Sequence, residues 1–260
     1  MSQVLQRDCL EYMRGCPDNF VDLILADPPY YRIHGEFDFF WKTPAEYLDW
    51  SKIWVAEAVR ILKPTGSFYL WGKIGHNLGY SLFRIADWIE SNDLLKVRNW
   101  ITQRNVRGRG NKRGYMECRE ELLFMTKTDR FTWHPAYTSE PSRRKDLGFD
   151  GKPRKNRYKR CSDVWIDIPE ASQSSLERFR LSNGETFPTV KALRLCDRII
   201  QASSNPGDLV YIPFGGSGSE AVSAYRLGRQ SILTETNPLH IELIQRRLKQ
   251  EGAVMAAPSK

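Results

Sequence analysis

The chain has no apolar run approaching the roughly 20 residues that a membrane-spanning helix needs. Residues 1–8 lack the apolar centre of a secretion signal, so a cytoplasmic protein without a membrane partner is expected. Histidine is scarce, with four among 260 residues. The five cysteines, Cys9, Cys16, Cys118, Cys161 and Cys196, form no Cys-x-x-Cys pair and have no histidines close by. That pattern argues against a zinc centre and against a disulfide framework, leaving plain reduced thiols. No Gly-Lys-Ser/Thr follows the glycine-rich stretch near residue 216, which excludes the phosphate loop of nucleotide hydrolases. Internal repeats are also missing. The remaining composition, 41% hydrophobic and 12% aromatic, is that of a globular α/β protein with one large or two small domains.

Positive charge is present and unevenly placed within a net charge of +8. Between residues 143 and 160, nine basic side chains (Arg143, Arg144, Lys145, Lys152, Arg154, Lys155, Arg157, Lys159 and Arg160) face only Asp146 and Asp150. A second basic cluster holds Arg104, Arg107, Arg109, Lys112, Arg113 and Arg119. Localised charge of one sign suits a polyanion, because each neutralised phosphate releases counterions. A solvated loop would carry the same signature. The interleaved aromatics Tyr115, Trp133, Tyr137, Phe149 and Tyr158 favour nucleic acid, since bases stack on them.

The apolar pattern predicts alternating strands and helices, hence a mostly parallel α/β sheet. Strands are expected at 4–9, 21–26, 67–71, 95–102, 121–126, 209–212 and 231–234. Helices are expected at 10–14, 44–62, 78–90, 188–202, from the glycine loop to 227, and from Pro238 onward. Thr43, Pro44 and Glu46 form a capping signature, and Asn237 with Pro238 forms another. Residues 128–185 lose this periodicity and read as an insertion that binds something. The expected organisation is a first half at 1–127, the insertion, a second half at 186–251, and a tail at 252–260.

Two strand ends carry candidate chemistry. Asp27-Pro28-Pro29-Tyr30 follows the strand at 21–26, where open α/β sheets place ligands. Two prolines stiffen the turn and free its carbonyls to accept hydrogen bonds, while a carboxylate and an aromatic face can hold a flat base with an exocyclic amine. A strand-ending turn is the simpler reading of the same four residues. The second strand end is a glycine loop, Phe214-Gly215-Gly216-Ser217-Gly218-Ser219, with a helix and strand after it and Glu235 beyond. Glycines allow close backbone approach, a helix start favours an anion, and Glu235 can accept from ribose hydroxyls.

These motifs, with Asp8-Cys9-Leu10, Arg60-Ile61-Leu62-Lys63-Pro64-Thr65-Gly66-Ser67, Glu120-Glu121-Leu122-Leu123-Phe124, Asp163-Val164-Trp165, Phe187-Pro188-Thr189-Val190-Lys191 and Glu235-Thr236-Asn237-Pro238, occur in one familiar order. The chain resembles the β-group amino-methyltransferases of DNA over nearly its whole length outside 128–185. The resemblance implies a permuted Rossmann-like methyltransferase sheet with helices on both faces and a basic target-recognition insertion. It implies S-adenosylmethionine as cofactor and double-stranded DNA as substrate, with a second copy of the chain and a cognate restriction endonuclease as further partners. Carried over residue by residue, Asp27, Pro28, Pro29 and Tyr30 would grip a flipped base. Asp8, Cys9, Asp27, Lys191, Phe214, Gly216, Ser217, Gly218, Glu235 and Asn237 would line the cofactor pocket. The nine basic residues from Arg143 to Arg160 would meet DNA. Adenine N6 is the expected target because Asp leads the tetrapeptide; cytosine N4, RNA methylation and a DNA-binding pseudo-enzyme are the alternatives. Two departures stand out. Ile212 occupies a position where the family carries aspartate, and Phe187 one where it carries histidine.

Overall fold

The computed structural model describes residues 1–31, 40–75, 79–109, 113–142, 156–168 and 177–253, with the side chains of 105–109 excepted. Ten strands and six helices are described: β1 (Ser2–Gln6), α1 (Cys9–Arg14), β2 (Val21–Ala26), α2 (Pro44–Ile61), β3 (Leu62–Gly72), α3 (Ser81–Ser91), β4 (Lys96–Arg109), β5 (Glu117–Thr126), β6 (Tyr137–Pro141), β7 (Tyr158–Arg160), β8 (Val164–Trp165), α4 (Leu193–Ser203), β9 (Leu209–Ile212), α5 (Ser219–Arg226), β10 (Gln230–Glu235) and α6 (Pro238–Gln250). Eight strands form one sheet in the order β1-β10-β9-β2-β3-β5-β4-β8. All contacts from β1 to β3 are parallel, and β5 runs antiparallel to both β3 and β4.

Strand alternation divides the core between two faces. Ile24 and Ala26 of β2, Phe68 and Leu70 of β3, and Tyr211 of β9 pack with Trp54, Ile61 and Ile85 of α2 and α3. Leu23, Leu25, Tyr69, Trp71, Val210 and Ile212 point the other way, against Ile199, Val222, Ile244 and Leu248 of α4, α5 and α6. The sheet is therefore covered on both sides, and this architecture is the one the sequence predicts. Trp41 and Trp54 are buried and Trp50 packs beside them, so these three aromatics serve the core.

β2 and β9 lie side by side in parallel, with Leu23 opposite Val210 and Ile24 opposite Tyr211. From β2 the chain passes to β3 on one side, and from β9 to β10 on the other. The carboxyl ends of β2 and β9 thus open at a topological switch point, where the two connections leave a crevice between them. Both predicted strand-end motifs meet there.

Several boundaries differ from the sequence expectation. β1 stops at Gln6 rather than reaching Cys9, because Asp8 turns the chain by capping α1: its Oδ1 accepts from the N–H groups of Leu10 at 2.9 Å and Glu11 at 3.1 Å. The stretch from Lys63 to Gly66 was expected to end α2 as a loop. It is instead a bulge inside β3, since the register jumps from Val21↔Leu62 to Leu23↔Ser67. α4 begins at Leu193, five residues later than expected, with Ala192 extended and Glu177 accepting from the Leu193 N–H at 3.1 Å. Residues 128–185 contribute β6 and β7, paired as a separate antiparallel ribbon, and β8, which joins the main sheet beside β4.

Candidate active site

Asp27 stands one residue beyond β2, at the switch point, and its carboxylate is shared between two donors. Tyr30 donates its hydroxyl to Oδ1 at 2.5 Å, and Lys191 reaches Oδ2 at 3.2 Å. Lys191 also pairs with Glu120 Oε2 at 2.7 Å and lies 4.6 Å from the Trp71 ring centroid, so a lysine side chain only 10% exposed has its ammonium held by two carboxylates and an aromatic face. The extended stretch before α4 brings Lys191 here, and β5 brings Glu120. Burial pushes the Asp27 carboxyl up, Lys191 draws it down and Glu120 pushes it up again; the net direction is upward. Burial works against the Lys191 charge, yet Asp27 and Glu120 outweigh it and the ammonium is held firmly protonated. Pro29 accepts from the Tyr47 hydroxyl at 3.0 Å, which ties the turn to α2. The Pro28 carbonyl accepts no hydrogen bond among the described residues.

The glycine loop lies next to this turn. Gly216 has φ +48° and donates its N–H to Glu235 Oε2 at 2.9 Å, while Glu235 Oε1 accepts from Thr236 and Asn237 at 2.9 Å each. Burial pushes Glu235 up, but the adjacent His240 and these N–H groups hold it below the usual carboxylate range. A Cβ at Gly215 would sit 2.6 Å from Leu233 Cδ2, and one at Gly218, where φ is +78°, 2.9 Å from Ile244 Cγ1. The loop is thus pressed against β10 and α6 with its backbone bare, a cradle that side chains would fill. Phe214 packs edge-on to Trp54 with centroids 5.1 Å apart, and Ser217 and Ser219 share a hydroxyl contact of 3.2 Å.

Residues 21–246 match the DNA methylase family. The chain belongs to that family. The type II methyltransferase M.BamHI of Bacillus amyloliquefaciens is 32% identical over 96% of this chain, which spans 58% of that relative's length. The DNA adenine methyltransferase YhdJ of Escherichia coli is 31% identical, with 94% of this chain and 82% of that one aligned. Among solved structures, PvuII DNA methyltransferase (cytosine-N4-specific) superposes with a TM-score of 0.72 at 18% identity, covering 95% of this chain and 86% of that one. The fold is that of the DNA methylases.

Other expected site residues fall in more mixed positions on this methylase scaffold. The Asp8 carboxylate is exposed and already caps α1, and Asn237 Oδ1 caps α6 by accepting from Leu239 N–H at 2.9 Å. The Cys9 thiol is buried and pushed up to about 12, chiefly by that burial, so it remains neutral. Cys16, Cys161 and Cys196 are likewise pushed up by burial, which leaves no activated thiolate among them. Lys191 stands against Asp27 and Glu120, with no hydrogen bond to the glycine loop among the described residues. Of the basic run, Arg157, Lys159 and Arg160 are exposed on and beside β7; Arg143, Arg144, Lys145, Lys152, Arg154 and Lys155 lie outside the described residues. A cleft of about 410 Å³ runs from the start of β6 to α4, lined among others by His134, Tyr137, Arg194 and Arg198.

Two site residues escaped the sequence reading. Arg247 of α6 is 4% exposed and donates through Nη1 to the Ser217 carbonyl at 2.5 Å and the Ser219 hydroxyl at 3.1 Å, with Phe179 stacked 4.0 Å below. Its place on the same helical face as Leu243, Ile244 and Leu248 was the available signal. Glu220, at the start of α5, is 7% exposed. Removing the arginine leaves a buried carbonyl without its donor. Arg247→Met is therefore expected to destabilise the fold by about 2–3 kcal/mol, read as a lower urea midpoint with an unchanged slope.

Proposed function

We propose that this chain is an S-adenosylmethionine-dependent DNA methyltransferase that modifies the N6 amine of adenine. The observation carrying the proposal is the juxtaposition of Asp27, buried against Lys191 at the end of β2, with the bare glycine cradle at the end of the adjacent β9. One strand end offers acceptors to an amine, and the other offers backbone to a nucleoside cofactor. The residues fit that cofactor. Glu235 is held ionised beside the Gly216 N–H, and the acids around Asp27 favour a cationic ligand. When bound, S-adenosylmethionine supplies a methyl group on a sulfonium sulfur, which an amine can take directly. Asp27 and the Pro28 carbonyl accept the two N–H bonds of a base extruded from the duplex, turning the nitrogen lone pair toward the cradle. As the Tyr30 hydroxyl now occupies Oδ1, the amine must share or replace that bond, and the Tyr30 ring remains available to stack on the base. After transfer the nitrogen is cationic, and Asp27 is the nearest base for its proton.

Adenine is favoured by the leading Asp and by the likeness to YhdJ. Cytosine N4 is the second reading, supported by the likeness to the PvuII enzyme. The test is incubation of purified protein with tritiated S-adenosylmethionine and duplex DNA, followed by digestion to nucleosides and chromatography. Label in N6-methyldeoxyadenosine is the expected result. Label in N4-methyldeoxycytidine would install the second reading. No label, with no heat of cofactor binding, would leave a DNA-binding pseudo-enzyme in which buried Ile212 has displaced the usual aspartate.

For DNA, the basic hairpin and the cleft at its base form one surface. Tyr137 pairs with Arg160 across the ribbon and so shares its face, and exposed Arg194 of α4 lines the same cleft as Tyr137. Binding of a duplex is expected to weaken by roughly 0.9 log unit per log unit of salt for each phosphate met. Fluorescence anisotropy across about 50–200 mM salt should show a shallower slope when Arg157, Lys159, Arg160 and Arg194 are replaced by alanine. An unaltered slope would remove this surface from the interface.

A further inference from the structure

Glu220 is a buried carboxylate that the scheme above does not use. It is the second residue of α5, directly after the glycine loop, and every residue from Ser219 to Ala224 is buried with it. Among the described residues its carboxylate bonds to no other side chain; its own N–H donates the hydrogen bond that draws its pKa down. The charged groups around it come from four elements. Asp27 at the end of β2 repels it, while Lys191 before α4 and Arg247 of α6 attract it. Cys196 of α4 lies beside it as a neutral thiol, and Asp197 is engaged by the Ser223 hydroxyl. Neither cation serves as its partner. Lys191 is committed to Asp27 and Glu120, and the bonds from Arg247 go to the glycine loop.

A buried carboxylate whose donor is its own N–H, with no side-chain partner among the described residues, is poorly compensated, and a cation arriving beside it would offset that cost. What would arrive must be cationic, because the near neighbour Asp27 is an acid and both nearby cations are occupied. Glu220 follows the glycine loop at the carboxyl end of β9, whose last residue, the buried and apolar Ile212, offers a cation no charge. We propose that the Glu220 carboxylate receives the α-ammonium group of S-adenosylmethionine and supplies the negative charge that Ile212 does not. This rests on the cofactor reading above.

The proposal has a proton signature. Burial first, then Asp27, push empty Glu220 up to about 7, so near neutral pH it holds a proton part of the time. A cationic ligand favours the ionised form, so binding expels that proton and affinity rises as pH climbs through about 7. Asp27 is also pushed up, and its share of the effect remains when Glu220 is changed.

Isothermal calorimetry with S-adenosylmethionine, in buffers of different ionisation enthalpy and from pH 6 to 8, separates the outcomes. The wild type should release protons on binding, and Glu220→Gln should bind about tenfold more weakly and lose most of that release. A purely structural Glu220 would lower the melting temperature in the variant and leave the proton release intact, which overturns the proposal. Equal affinity and equal pH dependence in both proteins would overturn it as well. No binding by the folded wild type would instead overturn the cofactor reading itself. Should Glu220→Gln fail to fold, Glu220→Asp carries the test: a midpoint of affinity against pH displaced from that of the wild type supports the proposal, and a midpoint left in place overturns it.

Discussion

Asp27→Ala is expected to lower the rate of methyl transfer about a thousandfold while the protein stays folded. Asp27 is the acceptor that would orient the amine, and interactions at the reacting group act chiefly on the rate rather than on substrate affinity. Stability should change little, for a specific electrostatic reason. Asp27 is an uncomfortable charge, pushed up by burial and by Glu120, and its removal leaves Lys191 still paired with Glu120 at 2.7 Å. Asp27→Asn keeps the shape and one acceptor oxygen, so it should fall between wild type and alanine. The wild-type rate also carries a sign. Asp27 must be ionised to accept from the amine, so activity declines as pH falls through its folded value, which lies above that of an ordinary aspartate. Single-turnover transfer of tritiated methyl groups across pH, with thermal melting alongside, measures all of this. An alanine variant that transfers at the native rate would remove Asp27 from the chemistry.

The parts of this arrangement that were legible in the sequence are those written locally. β9 announces itself by a continuous apolar run and β2 by one broken only at Asp22, and the Asp27 turn and glycine loop follow these strands in plain order, so both strand ends are legible in the sequence. Their adjacency could be expected from the family resemblance alone, because strand order is not a local property. Short elements were illegible: β7 has three residues and β8 two, too few for any periodicity to register. Residues 63–66 misled in the other direction, since Lys-Pro-Thr-Gly is good loop chemistry that the parallel pairing with β2 absorbs as a bulge. Lys191 was anticipated at the cofactor pocket but not as the partner of Asp27 and Glu120, three residues that only tertiary structure brings together. Glu220 sat unnoticed behind the serines and glycines that precede it, and burial is what gives it meaning.

Lys191→Met is expected to have the largest effect on stability, about 3–5 kcal/mol. The lysine is the shared counter-ion of Asp27 and Glu120, at 3.2 and 2.7 Å, and lies within electrostatic reach of Glu220. Methionine fills similar volume against Trp71, so packing is largely kept and the loss is one of charge. Asp27 then meets Glu120 and Glu220 with no ammonium beside it, and protonation is favoured in the fold. Acids whose folded values are raised bind more protons folded than unfolded, so they make stability fall as pH rises through the span between the two values. The defect of Lys191→Met should therefore be severe at pH 8 and partly recovered near pH 5, as read from urea midpoints at the two pH values. Adding Glu120→Gln to Lys191→Met should restore part of the loss, a non-additivity expected only for groups in direct contact. A loss that is the same at both pH values would mean that Lys191 acts through packing, and the charge cluster around Asp27 would then need another explanation.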